Sequence, residues 1–363
     1  MKIGVDISQI AYKGTGVSRF TKGLIDTILE YDKNNEWLFF FSSLRNQLKY
    51  EIAKNIKKKG FKILDFPFPP IFLSFLWNKH HIFKIDNLIK NLDWLITSDW
   101  IEPPSNFKKA TIVHDLIYKR FPETLDSLII KTQNKRLGHV KKESNLIFAD
   151  SQSTKNDLIN LMNIEDKRIV VNYPGVKILK TELDFDKQTL KKYQLNKTYV
   201  LSVGKIEPRK NIQRLIDAFL GLSLQNVELV IIGEYGWGPK IKKYENIRYL
   251  GYVNDNELFS IYKSSLFFVY PSLWEGFGYP VIEAMASGKA VATSNTSSLS
   301  EIVQDAALTF NPYKTSEIQH AIKTLLENKA LREELVIKGK NTYKKFTWED
   351  YYKTLIANLN TIK

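Results

Sequence analysis

Short runs of β-branched and aromatic residues alternate with amphipathic helical stretches from one end of the chain to the other, and this alternation restricts the fold more than any other feature. Strands separated by helices pair in parallel, because a parallel pair needs a long crossover between its members. In the first half, residues 2–8, 36–42, 61–65, 93–97, 110–114, 145–149 and 168–172 read as buried strands. Between the first two, Phe20, Leu24, Ile25, Ile28 and Leu29 repeat at three-to-four spacing and make one apolar helix face. Helices near 123–142 and 153–162 follow, the second opened by Ser151 or Ser153. After Tyr173-Pro174-Gly175 the sequence turns polar through 177–197. A second alternation then sets strands near 198–203, 227–232, 247–250, 266–270 and 289–293 against helices near 211–221, 255–263, 280–287 and 316–327. The pattern predicts two doubly wound, Rossmann-like α/β domains, residues 1–180 and 181–363, with the last helix able to pack back on the first. Ligands in such open sheets bind outside the carboxyl ends of the strands, so those junctions are where functional motifs belong.

Composition narrows the function. The 363 residues suit two ordinary domains, and 44% hydrophobic with 25% charged residues is the balance of a folded globular protein. With no cysteine, disulfide scaffolds, thiolate catalysis, Cys-built zinc clusters and Cys-ligated iron–sulfur centres are excluded, and a reducing compartment is favoured. Met1-Lys2-Ile3-Gly4-Val5-Asp6 reaches an acid before any apolar run that could serve as a signal peptide, which predicts a cytoplasmic protein. The longest uncharged apolar run, Phe66 to Trp77, is 12 residues with three prolines, whereas a spanning helix needs roughly 20. The net charge is +14, and residues 1–180 carry 29 Lys+Arg against 19 Asp+Glu while 181–363 carry 24 against 20. A basic N-terminal half suits nucleic acid, anionic lipid or a phosphorylated substrate, or simply keeps the surface soluble.

Two segments discriminate among these. Pro271-Ser-Leu-Trp-Glu275-Gly276-Phe277-Gly278-Tyr279-Pro280-Val281-Ile282-Glu283-Ala-Met-Ala286 follows an apolar strand, and Pro280 suits the first position of a helix, where a missing N–H costs nothing. Gly276 and Gly278 let the backbone approach a ligand, and the amides of the helix's first turn face an anion. Glu275 before the loop and Glu283, expected in the first helical turn, can accept hydrogen bonds from hydroxyls. A phosphorylated polyol such as a nucleotide sugar offers both features; a tight turn with Glu283 complementing the helix dipole is the plainer alternative. In Val203-Gly204-Lys205-Ile206-Glu207-Pro208-Arg209-Lys210-Asn211, Lys205 leaves a strand end and Lys210 stands at the start of a helix beginning at Asn211. Two ammonium groups can there converge on one diphosphate, with Arg209 as a third candidate, unless the segment is a solvated basic turn. In the first half, Lys13-Gly14-Thr15-Gly16-Val17 places Gly14 and Gly16 between a strand and a helix, where backbone amides can meet a diphosphate. It lacks the third glycine of a dinucleotide fingerprint. Ile112-Val113-His114-Asp115 ends a strand with a histidine, and successive strand residues point to opposite faces, so His114 and Asp115 form no triad. His80 and His81 are expected on an exposed helix.

The two C-terminal segments, in this order and about 70 residues apart, resemble those of retaining family 4 glycosyltransferases, and the likeness extends over nearly the whole chain. Glu275 with Glu283 matches the family's paired glutamates and Lys205 with Lys210 its diphosphate clamp. The resemblance implies a GT-B fold, in which two Rossmann-like domains face a cleft. It implies that Glu275 meets hydroxyls of the transferred sugar and Glu283 the ribose, and that the amides of Gly276, Phe277 and Gly278 hold the sugar and phosphate region. It further implies that His114 is a polar contact near the donor sugar, that the stretch Ser294–Glu301 walls the site, and that the backbone at Tyr252 and Val253 reads the base edge. Net retention is expected through front-face displacement, with the leaving diphosphate held by lysines rather than a metal, because no D-x-D-like pair stands where it could serve. No cofactor is expected beyond the nucleotide-sugar substrate.

Similarity around residues 293–312 leans toward mannosyl transfer from GDP-mannose to a glycan or lipid-linked glycan in bacterial surface-polysaccharide synthesis. Lys57-Lys58-Lys59 and Lys62, followed by Phe66, Phe68, Phe72, Phe75 and Trp77, interleave charge with aromatics, which suits peripheral binding to the anionic inner face of the cytoplasmic membrane or a grip on a lipid-linked pyrophosphate acceptor, unless the aromatics pack under a loop. A nucleotide-sugar epimerase of the same fold would instead need an acid/base pair. A nucleic-acid-binding protein would need a recognisable module, which the sequence lacks, so no nucleic-acid partner is expected.

Overall fold

The structure, a computed structural model, describes residues 1–12, 14–44, 46–177, 181–237 and 242–362. Lys13 of the first glycine motif and Lys180 at the expected domain boundary lie outside them. The chain divides into two compact units, Met1–Gly175 with Thr347–Lys363, and Val176–Phe346. The division therefore falls after Gly175 rather than after residue 180. The polar stretch 177–197 contains a helix, Leu183–Lys192, that belongs to the second unit. Polar side chains pack it: Asp186 accepts from Ser260 Oγ at 2.6 Å and from Lys263 Nζ at 2.5 Å on the helix Asp255–Ser264. Assigned by unit, the charge bias nearly vanishes, with 29 Lys+Arg against 21 Asp+Glu in the first and 24 against 18 in the second.

The first unit is built on an all-parallel sheet of seven strands: β1 (Lys2–Asp6), β2 (Glu36–Ser42), β3 (Lys62–Phe66), β4 (Trp94–Ser98), β5 (Lys108–Val113), β6 (Leu146–Ala149) and β7 (Ile169–Val171). Their order is β3-β2-β1-β4-β5-β6-β7, and it reverses direction beside β1, the place where a doubly wound sheet opens a crevice at its strand ends. The second unit repeats the plan with β8 (Thr198–Val203), β9 (Val227–Ile232), β10 (Ile247–Tyr249), β11 (Phe267–Tyr270), β12 (Val291–Ser294) and β13 (Leu308–Phe310), ordered β10-β9-β8-β11-β12-β13. Central strands are buried on both faces; Phe39, Phe40 and Phe41 are all covered although they point alternately to the two sides.

The helix Gly16–Tyr31 starts where Thr15 Oγ1 accepts from Ser18 N at 3.1 Å, and it buries the predicted stripe of Phe20, Leu24, Ile25 and Ile28. The same core takes Tyr351, Leu355 and Leu359 from the helix Trp348–Thr361. Two glycines admit this helix. A Cβ on Gly23 would stand 1.9 Å from the Trp348 ring, and one on Gly175 would stand 2.3 Å from Trp348 N. The second obstacle is backbone and cannot rotate away. Gly175→Ala is therefore expected to cost about 1–3 kcal/mol of stability, read as a lowered urea midpoint; an unchanged midpoint would mean the helix is not docked this way.

Candidate functional site

The richest polar cluster of the second unit forms where β8 and β11 end. Beyond β8, Pro208–Lys210 makes one tight turn and Asn211 adopts a left-handed conformation (φ 58°) before the helix Ile212–Leu220. The helix thus begins one residue later than expected, and the side-chain amide of Asn211 donates to the Pro271 carbonyl at 3.1 Å and the Pro312 carbonyl at 2.8 Å. This turn carries Lys210 and Arg209 to Glu275. The Glu275 carboxylate, 8% exposed, accepts at Oε1 from Lys210 Nζ (2.6 Å), Tyr270 OH (2.8 Å) and Ser272 Oγ (2.5 Å), and Arg209 Nη1 forms an ion pair with the same oxygen at 2.9 Å. Oε2 has no protein partner among the described residues. The arrangement anchors one oxygen fully and leaves its twin to accept from a ligand hydroxyl.

Electrostatics follow from the packing. Burial opposes ionisation of Glu275, but Arg209 and Lys210 outweigh it and hold the carboxyl at a pKa of about 2. Burial and the neighbouring Arg209 pull the Lys210 ammonium below its ordinary range, and burial with Glu275 pushes the Tyr270 phenol well above its own. Arg209 is itself oriented by Glu207 Oε1 and the Trp274 carbonyl, both at 2.6 Å. Neither Tyr270 nor Ser272 was singled out from the sequence. Tyr270 could have been found as the last strand residue, five positions before Glu275.

The glycine loop is fixed from behind. Ser298 Oγ donates to the Glu275 carbonyl at 2.9 Å and the Phe277 carbonyl at 2.8 Å, and Glu275 N donates to Ser297 Oγ at 3.0 Å. The stretch expected as a wall therefore splints the loop. Gly276 and Phe277 are buried, and Gly278 sits at φ 107°, where a Cβ would come within 2.7 Å of Leu299. The helix it opens runs Tyr279–Ala286, so Pro280 is its second residue and Glu283 falls in the second turn, not the first. Glu283 is buried and receives the Tyr262 hydroxyl at 3.3 Å.

Lys205 is not drawn into this cluster: it is exposed, with its ammonium 5.2 Å above the Trp237 ring. Val253 is buried and Tyr252 is 58% exposed beside Gly251, whose carbonyl accepts from Gly233 N at 2.9 Å.

In the first unit, Gly14 has φ 75° and a Cβ on Gly16 would meet nothing within 4 Å, so the helix start they form is open to a ligand. His114, at the end of β5, stands in a prepared setting. Its Nδ1 lies 2.7 Å from Asp150 Oδ2, its Nε2 3.0 Å from Ser98 Oγ, and Phe20 packs edge-on at 4.7 Å. Burial disfavours the imidazolium, but Asp150 overcomes it and raises the pKa of His114. Asp150 and Ser98 carry no motif and could be found only through the fold. His81, expected at the surface, is instead half-buried and stacked on His139.

Two doubly wound units, one carrying a glycine loop and a cation-anchored glutamate at its strand ends, make up the chain. Residues 185–342 match the family described as Glycosyl transferases group 1. The chain is 32% identical over 386 residues to O-antigen chain mannosyltransferase B of Escherichia coli, covering 96% of this chain and 97% of that protein, and it belongs to this glycosyltransferase family. The serotype-specific mannosyltransferase WbdA of Escherichia coli is 29% identical over 265 residues, 67% of this chain but 32% of the relative. HepE of Anabaena, crystallised with UDP and glucose, superposes with a TM-score of 0.72 at 15% identity over 100% of both chains.

Proposed function

We propose that the chain transfers mannose from GDP-mannose to a glycan or lipid-linked glycan of a bacterial surface polysaccharide, with retention and without a metal at the diphosphate. The Glu275 carboxylate carries the proposal: three donors and the Arg209 ion pair occupy Oε1 while Oε2 is left for a sugar hydroxyl. The sugar and the polymer rest on the likeness to the O-antigen chain mannosyltransferase. In this reading Lys205, Lys210 and Arg209 balance the leaving diphosphate, helped by the amides of Gly276–Gly278. Glu283 takes the ribose, the backbone at Tyr252 and Val253 takes the base, and His114 meets the donor sugar. The first unit receives the acceptor. The test is a panel of GDP- and UDP-sugars offered with glycan primers, with products read by mass spectrometry and anomeric NMR. An α-mannosyl product from GDP-mannose is expected; transfer from UDP-sugars alone, or an inverted product, would overturn the assignment.

Transfer is also expected to survive excess chelator, since the positive charge near the diphosphate comes from side chains. Activity abolished by chelation and restored by Mg²⁺ would refute this.

Among the described residues no helix is long and apolar enough to cross a membrane. The proposed seat is the inner face of the cytoplasmic membrane, bound peripherally. Lys57, Lys58, Lys59 and Lys62 are exposed, as are Phe68, Ile71, Phe72 and Phe75. Trp77 does not join them: it is fully buried against Phe40, with its indole N–H donating to the Phe83 carbonyl at 3.0 Å. Each basic residue near an anionic surface contributes roughly 1 kcal/mol. Co-sedimentation with anionic vesicles at low salt is expected, weakened at high salt and in the Lys57/Lys58/Lys59→Gln variant; equal binding by wild type and variant would leave the lysines without this role.

A further inference from the structure

The half-buried cluster of His81, His139 and Glu143 in the first unit has no part in the transfer chemistry. His139 and Glu143 lie four residues apart on the helix Ser127–Glu143 and so project from one face. His81, in a left-handed conformation (φ 52°) just after the short helical segment Ser74–Lys79, reaches them from across the unit's surface. The two imidazoles stack with centroids 3.6 Å apart and planes 4° from parallel. One ligand atom from each of the three residues falls within 4.8 Å of the other two.

Hydrogen bonding fixes which atoms face inward. His81 Nδ1 lies 2.8 Å from the Trp77 carbonyl and His139 Nε2 lies 2.9 Å from the Asn78 carbonyl. A carbonyl only accepts, so both nitrogens carry hydrogen, and in the neutral rings the opposite nitrogens present lone pairs. Backbone carbonyls on the outer nitrogens are the devices that set tautomer and direction in metal-ligating histidines. His81 Nε2 lies 2.5 Å from Glu143 Oε1, a contact bridged by a proton, which an incoming ion would displace as the two atoms move apart. The other Glu143 oxygen is held by Lys109 Nζ at 2.9 Å. The charge of Lys109 is in turn balanced by Glu102 at 2.9 Å, so it steadies the carboxylate without standing as an uncompensated cation.

We propose that His81 Nε2, His139 Nδ1 and Glu143 Oε1 bind one divalent transition-metal ion of the zinc type, with a remaining position left to water. Two imidazoles and one carboxylate suit Zn²⁺ and its neighbours, whereas Mg²⁺ and Ca²⁺ favour all-oxygen shells. The ion ties the turn after residues 74–79 to the helix Ser127–Glu143. It thereby braces the segment that presents Phe72 and Phe75.

The test uses the full, tag-free chain, stripped with chelator, desalted and titrated with Zn²⁺. Retention of about one equivalent after gel filtration is expected, together with a rise in melting temperature of several degrees. His139→Gln and Glu143→Gln should each weaken binding at least about tenfold, while His320→Gln on the helix Thr315–Glu327 of the second unit should not. Absence of binding, or equal affinity in the His139→Gln and His320→Gln proteins, would overturn the site. Because Glu143→Gln also disturbs Lys109, the His139→Gln protein carries the decision. Repeating the chelator assay of transfer in His139→Gln separates metal loss here from any metal need in the reaction.

Discussion

Glu275→Gln is expected to lower kcat/KM for transfer at least about tenfold, on the order of 1.4 kcal/mol of transition-state stabilisation. The amide keeps the size of the carboxylate but cannot offset Lys210 and Arg209, which contact Oε1 at 2.6 and 2.9 Å. Two consequences should appear together. The leftover cations hold one another at higher energy, so the folded state weakens, and the group facing the sugar loses its charge. The pH dependence of stability separates the first effect from the second. The carboxyl is held at about 2, below its unfolded value of 4.5, so its contribution is present above pH 4.5 and is lost as the pH falls through 2. The wild type should therefore lose stability on acidification through this window more steeply than Glu275→Gln, by roughly 3 kcal/mol in total. Parallel acid curves would show that the ion pairs do not stabilise the fold. Full transfer activity in the Gln protein would remove Glu275 from the donor site.

Lys109→Ala should produce the largest loss of stability. Lys109 is 1% exposed and Glu102 0%, with 2.9 Å between Nζ and Oε1, and the ammonium also donates to the Pro103 carbonyl at 2.9 Å. Burial opposes the charge on Lys109, but Glu102 and Glu143 more than offset it and raise its pKa, so the ammonium is charged at neutral pH and is lost as pH rises beyond the lysine range. Removing one partner strands the other inside the protein, at a cost of about 3–5 kcal/mol. The double variant Lys109→Met/Glu102→Gln should recover part of that loss, because the two facing charges go together, while Arg136, 4.0 Å from Glu102, and Glu143 each lose a partner. Urea unfolding of Lys109→Met, Glu102→Gln and the double variant completes the cycle. A double variant as unstable as the sum of the singles would show that the two side chains do not act as a pair.

The strands were legible because each is a short run of large apolar residues covered on both faces; Thr198–Val203 and Val227–Ile232 coincide with their predicted bounds. Strand Leu308–Phe310 was missed because its three residues are too few to register a period. Helix Leu183–Lys192 was missed because ion pairs rather than an apolar stripe hold it, and helix Ser297–Val303 because its serines serve the neighbouring loop. Within the site, Glu275, Lys210 and Arg209 stood out as charges beside glycine and proline at strand ends, and the fold brings these three together. Lys205 stood out equally well but points to Trp237. Sequence spacing gives the turn on which a side chain sits, whereas its direction depends on the backbone conformation of that turn. The partners of His114 come from β4 and from just beyond β6, joined to it only by the pairing of those strands with β5.

The first unit is discontinuous: residues 1–175 are completed by residues 347–363, and the second unit occupies everything between. Translation therefore delivers the parts out of order. When residue 175 emerges from the ribosome, the groove over Phe20 and Gly23 has no occupant, and it stays open while the whole of the second unit is made. The second unit can reach its final contacts first, although it is encoded later. Until Tyr351, Leu355 and Leu359 arrive, the earlier-made half offers apolar surface to any chaperone or neighbouring nascent chain, so the late helix acts as a latch that ends this vulnerable interval.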